Sequence, residues 1–147
     1  MLIYIGSDHR GFQLKESLKN FLKNSGYEVV DLGNAQFQDG DDYPDFAAPV
    51  AKKISLDPSA RGIVICGSGA GVDIVANRHP NVRSVLAINP DQVAVTRSDD
   101  DTNVLSLAAD YTDEEAARKI VSIWLQTPFS GEERHQRRLE KIEKIWQ

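Results

Sequence analysis

Only one cysteine, Cys66, occurs in the 147 residues. An intrachain disulfide is therefore excluded, and a reducing, cytoplasmic setting is the expectation. Long apolar runs are missing as well. No stretch approaches the roughly 18 residues of a membrane span, and the start, Met1-Leu2-Ile3-Tyr4-Ile5, lacks the basic segment of a secretory signal. Positive charge is in deficit: 17 Lys and Arg against 22 Asp and Glu leave a formal charge of −5. That is the wrong sign for a general nucleic-acid surface, whose footprint is a basic patch. Neither repeats, low-complexity tracts nor a linker interrupt the chain, so one domain over 1–147 is expected, long enough to bury a real core.

What is present alternates. Short apolar runs at 2–6, 28–32, 62–66, 84–88 and 104–107 are separated by amphipathic stretches near 12–24, 43–54, 72–77 and 90–97. This is the pattern of βαβ units on a parallel sheet. Two later helices carry capping-box starts, Thr112 with Glu115 and Ser130 with Glu133. The expected fold class is α/β, a single-domain Rossmann-like three-layer α/β/α sandwich with a five-stranded parallel sheet.

In open parallel sheets ligands bind beyond the carboxyl ends of the strands, often where strand order reverses. Cys66 closes the apolar run Ile63-Val64-Ile65 and is followed by Gly67-Ser68-Gly69-Ala70-Gly71, so the only thiol sits where a strand meets a helix. A helix start presents unpaired N–H groups and a positive dipole end, which attract anions and favour the thiolate. The pattern points to a base or nucleophile acting on a small polar substrate. The alternative is an inert buried thiol, as free cysteines often are. A dinucleotide site is a poorer match, because the loop follows the third strand and lacks the Gly-x-Gly-x-x-Gly spacing.

The same rule brings Asp8 and His9 to that edge, since Ser7-Asp8-His9-Arg10-Gly11 ends the first strand. A carboxylate beside an imidazole orients hydroxyls, moves a proton or binds an anion. A helix-capping Asp8 with a solvated His9 is the plainer alternative. Asp99-Asp100-Asp101 precedes the last strand and is read as a loop near the site. The final helix, taken from Gly131, places Arg134 and Arg138 four apart on one face, able to grip a phosphate or to form a solvated basic face. Its stripe of Leu139, Ile142 and Trp146 must cover this chain's core or a partner's surface.

The segments Gly6-Ser7-Asp8-His9-Arg10-Gly11-Phe12, Leu14-Lys15-Glu16, Asp42-Tyr43-Pro44, Cys66 through Gly71, Ala76-Asn77, Asp101-Thr102-Asn103-Val104-Leu105 and Arg134-His135-Gln136-Arg137-Arg138 follow one another in register over nearly the whole chain. Together they resemble the ribose-5-phosphate isomerase B family, which includes the galactose-6-phosphate isomerase subunits. The resemblance implies an aldose–ketose isomerase without metal or organic cofactor. It also implies a homodimer, in some members a dimer of dimers, with sites at the subunit interface and the last helix on the partner. Cys66 would be the base. The amides of Gly67, Ser68, Gly69, Ala70 and Gly71 would steady the enediolate, with the Ser68 hydroxyl on the same oxygens. Asp8 would handle sugar hydroxyls, and His9, Arg134 and Arg138 would hold the phosphate. Tyr43 would line the sugar pocket or serve as a helix-start aromatic.

Three departures bear on the substrate. Asp99 stands where the family has the histidine that opens the furanose ring, Asp100 where it has asparagine, and Asp110 where many members have an arginine. Asp99 could donate a proton only with a raised pKa, and would otherwise act as a base or be held structurally by Arg97 or Arg137. Asp110 is expected to weaken phosphate binding. These changes keep open a related sugar isomerase or epimerase with a changed substrate, and a non-catalytic sugar-phosphate binding protein.

Overall fold

The computed structural model describes residues 1–146, and the side chain of Trp146 lies outside that description. Five parallel strands, β1 (Leu2–Ser7), β2 (Glu28–Asp31), β3 (Arg61–Cys66), β4 (Ser84–Leu86) and β5 (Val104–Ala108), lie in the order β2-β1-β3-β5-β4. Six α-helices connect and cover them: α1 (Phe12–Asn24), α2 (Pro44–Leu56), α3 (Ala70–Ala76), α4 (Pro90–Asp100), α5 (Glu114–Gln126) and α6 (Glu133–Glu143). A short 3-10 turn over Lys144–Trp146 follows α6. Among the described residues no helix is long and apolar enough to cross a membrane.

The central strands β3 and β5 are mostly apolar, Arg61 and Ser106 apart, because both of their faces are covered. Side chains alternate across a strand, so Ile63, Ile65, Leu105 and Leu107 pack with Leu18 and Leu22 of α1, Val93 of α4 and Trp124 of α5. Val64, Cys66 and Val104 point the other way, against Val50 and Ile54 of α2 and Val72 of α3. Fully buried Trp124 satisfies its indole by donating to Thr102 Oγ1 at 3.0 Å.

Several boundaries differ from expectation for local reasons. Gly69 takes φ +72°, a left-handed turn that glycine adopts without strain, and α3 starts at once at Ala70. β4 stops at Leu86, and Ile88 N–H is taken by the Gln92 side chain. The helix expected to end at Arg97 continues through Asp100, and Asp101, at φ 45°, closes it with a carboxylate that accepts from Arg97 (2.7 Å) and Arg83 (2.8 Å). Asp99 and Asp100 are therefore last-turn helical residues, not a loop. Neither capping box forms. Asp113, one residue after Thr112, caps α5 by accepting from Ala116 N–H at 2.8 Å. Ser130 is engaged with His135 Nδ1 at 2.9 Å, so α6 begins at Glu133 after a left-handed Gly131 and has no side-chain cap.

Candidate active site

β2 and β3 lie on opposite sides of β1, so the order reverses between β1 and β3. Ser7 and Cys66 end those two strands, which puts Asp8 and the glycine loop on either side of the reversal, where open sheets bind ligands. A cavity of about 490 Å³ opens there. Cys66 lies in it, 4% exposed, with its carbonyl taken by Ala109 N–H at 2.9 Å. Gly67 and Ser68 continue the lining. The Ser68 hydroxyl is exposed and accepts from Ala70 N–H at 3.4 Å.

Tyr43 forms a wall. A Cβ on Gly71 would stand 2.6 Å from Tyr43 Cζ, so the glycine is what lets the ring lie flush against the loop. The ring is 39% exposed and faces the cavity, where the sequence left a purely structural aromatic open. Asp8 also lines the cavity, and its Oδ1 accepts from Gly11 N–H at 3.0 Å. Burial raises its pKa, the Gly11 hydrogen bond and the neighbouring His9 opposing that shift. The carboxylate thus lies in the cavity and closes the turn before α1, and it is not the helix cap expected as the plainer reading, since the N-cap is Gly11 with no side-chain cap.

His9 is not a free solvated side chain. Asp41 accepts from its backbone N–H at 2.7 Å and pairs with its Nδ1 at 2.9 Å, while Asn34 holds the other carboxylate oxygen. The Asp41 hydrogen bond is the main cause of a raised His9 pKa. On Asp41 burial pushes upward, but the hydrogen bonds from His9 and Asn34 outweigh it and the pKa falls. Beneath this group lies Lys15, wholly buried, whose Nζ donates to Asp31 (2.6 Å) and to the Asn34 carbonyl (2.6 Å). It ties the β2 end to the 34–41 loop that carries Asp41.

Other residues singled out by sequence lie elsewhere. α4 runs back from the carboxyl edge, so Asp99 and Asp100 sit at the amino edge, before β5 begins. Asp99 is not bonded to Arg97, which Asp101 and the Thr102 carbonyl occupy, nor to Arg137. Its neighbours are the Ser98 hydroxyl (3.0 Å) and His135 Nε2 (3.7 Å). Asp100 lines a separate groove of about 320 Å³ with Arg83, Thr96 and Ile142. α6 lies against α4, with Arg134 exposed and paired to Glu132 at 2.8 Å and Arg138 exposed. Within one chain, neither arginine nor Asp99 lines the Cys66 cavity.

The sequence reading gave no part to Arg10, Asp41 or Tyr111. Arg10 and Tyr111 line the cavity, Arg10 ion-paired with Asp110. Arg10 had a readable signal, since it directly follows Asp8-His9 at a strand end. Asp41 had only its place in an acidic run.

With this geometry in view, the likeness to known proteins is specific. A family model described as ribose/galactose isomerase matches residues 3–142, and the chain belongs to that family. Among its members, the chain is similar to the probable ribose-5-phosphate isomerase B of Mycoplasma genitalium, 41% identical over 95% of this chain and 92% of that one. Ribose-5-phosphate isomerase B of Escherichia coli is 37% identical, with 99% and 96% covered. The crystal structure of the Mycoplasma genitalium enzyme with bound ribulose 5-phosphate superposes with a TM-score of 0.95 at 40% identity, covering 99% of this chain and 95% of that one. The Trypanosoma brucei type B enzyme gives 0.93 at 37% identity, with 98% and 97% covered.

Proposed function

We propose that the protein interconverts an aldose phosphate and its ketose, ribose 5-phosphate and ribulose 5-phosphate, through an enediolate. The observation that carries this reading is a lone thiol at the strand reversal, opening on a polar cavity beside a glycine loop. Cys66, as thiolate, takes the proton from C2 of the open-chain aldose. The electron pair moves into a C1–C2 double bond and onto O1. The thiol then returns a proton to C1, and the O2 hydroxyl proton passes to O1 as the C2 carbonyl forms. Proton transfer of this kind by a positioned side chain contributes typically ~10²–10⁴-fold. The amides from Gly67 to Gly71 and the Ser68 hydroxyl steady the enediolate oxygens, as preorganised dipoles do. Asp8 engages sugar hydroxyls, Tyr43 walls the sugar, and His9 contributes a cation at the same edge.

The family likeness also supports a homodimer working in the cytoplasm on this small molecule. Each chain carries two sets of residues at opposite edges of its sheet: Cys66 with Asp8, and Asp99 with Arg134 and Arg138. A second copy that brings its α4–α6 end to the cavity would supply the phosphate grip and place Asp99 and Asp100 near the sugar. Incubation with ribose 5-phosphate in deuterated water, followed by NMR, tests the reaction. Ribulose 5-phosphate carrying deuterium at C1, with turnover lost in Cys66→Ala, is the expected result. Full activity in Cys66→Ala would refute the base, and no turnover by the folded wild type would refute the substrate. The Arg10–Asp110 pair inside the cavity favours one second reading, a related sugar isomerase with an altered substrate, for which a panel of other sugar phosphates is the test.

A further inference from the structure

Arg10 and Asp110 face each other over Gly67 with no part in the reaction set out above. Arg10 leaves the loop after β1 and Asp110 the loop after β5, so their ion pair passes over the end of β3, the strand between them. The fit is close: a Cβ on Gly67 would stand 2.6 Å from Arg10 Nε and 2.7 Å from Asp110 Oδ2. Asp110 is also fixed from behind, its backbone N–H donating to the Gly67 carbonyl at 3.0 Å. Both side chains line the Cys66 cavity, and among the described residues that do so Arg10 is the only cation. Asp8 and Asp110 are the anions.

A guanidinium offers five donors in a planar fork that matches phosphate and carboxylate oxygens. Here one terminal nitrogen, Nη2, is given to Asp110. The Arg10 side chain is 57% exposed, which leaves the rest of the fork accessible to an incoming anion. We propose that Arg10 is the specificity residue for the anionic end of the substrate, and that Asp110 tempers it, holding the guanidinium over Gly67 while competing for it. The assignment rests on the sugar-phosphate reading above and deepens it. It makes the acidic residue at 110 part of a two-residue device that sets how strongly one chain attracts a phosphate. The cavity then carries an anion ligand of its own, beside any cation that a second chain contributes.

Calorimetric binding to the Cys66→Ser chain, which lacks the proposed base, separates recognition from chemistry, with ribose 5-phosphate, inorganic phosphate and ribose as probes. Arg10→Gln is expected to weaken ribose 5-phosphate and phosphate about tenfold or more, with ribose unaffected. Arg10→Lys, which keeps the charge and loses the fork, falls between. Asp110→Asn keeps an acceptor for the guanidinium, removes the competing charge, and tightens ribose 5-phosphate by roughly three- to tenfold. That gain shrinks markedly when Arg10→Gln is also present.

Unchanged affinity in Arg10→Gln overturns the assignment. So does an Asp110→Asn gain of the same size with and without Arg10, or a parent chain that binds ribose as well as ribose 5-phosphate or binds neither. Turnover by the chain with Cys66 intact is measured alongside. Its absence removes the isomerase reading while an Arg10 effect on binding still stands. Its presence with no Arg10 effect removes the Arg10 assignment alone.

Discussion

The carboxyl edge of the sheet and the α4–α6 end both carry charged residues, yet they are built differently. At the carboxyl edge the ends of β1 and β3 supply a buried thiol, close-packed glycines and a buried carboxylate around one cavity. At the other end Arg134 and Arg138 stand exposed, and Asp99 meets His135 at 3.7 Å, beyond an ordinary hydrogen bond. The first arrangement is complete enough to hold a small molecule. The second has the form of a surface that acquires its role when something is laid against it. Residues that lie together in a family signature are thus divided, within one chain, between a formed site and an exposed face.

The largest expected effect falls on the carboxyl edge. Cys66→Ala should lower kcat by about 10²–10⁴-fold without loss of fold, measured by isomerisation rate and circular dichroism. Lys15→Met comes next, because it leaves the Asn34 carbonyl without its buried donor and leaves Asp31 paired with Lys19 alone, at 2.5 Å. A loss of about 1–3 kcal/mol in urea unfolding is expected, and a change within experimental scatter would show that the edge does not depend on its buried cation. The sharpest test of the comparison is to mix two inactive chains, Cys66→Ala and the double variant Arg134→Gln, Arg138→Gln. If the α4–α6 end of one copy completes the cavity of another, hybrid dimers regain one intact site and the mixture recovers about a quarter of wild-type activity. No recovery would mean that the two regions do not meet across copies.

The smallest effect concerns pH. Asp41 raises the His9 pKa, so the imidazolium persists above the usual 6.5 and its attraction for an anion fades only as pH rises through the raised value. Asp41, held below its usual 3.8, contributes stability that is present above that value and lost as pH falls through the lowered one. Asp41→Asn should bring the His9 titration, followed by NMR of the ring proton, back down toward 6.5. An unmoved titration would remove Asp41 as its cause.

Much of the frame was legible because burial on both faces makes β3 and β5 nearly continuous apolar runs, broken only by Arg61 and Ser106, and parallel strands need helical crossovers between them. The Cys66 loop was legible for a local reason, glycines directly after a strand. What escaped depends on distance. The pairing of Arg10 with Asp110 follows from β1, β3 and β5 being neighbours, an order that no short window of sequence displays. Asp99 was placed near the thiol because it precedes a strand, whereas the rule concerns residues that follow one. The missed caps of α5 and α6 share a cause: Asp113 adjoins Thr112 as a rival cap, and Ser130 already serves His135.

The bridge over Gly67 also makes the effect of a change at position 110 depend on residue 10. Replacing Asp110 by arginine while Arg10 remains sets two guanidinium ions side by side over a glycine too crowded to accept a Cβ, with the balancing carboxylate gone. If Arg10 first becomes neutral, the same replacement only moves the positive charge from one strand end to another. Asp110→Arg is therefore expected to cost more stability while Arg10 remains than after Arg10 has been neutralised.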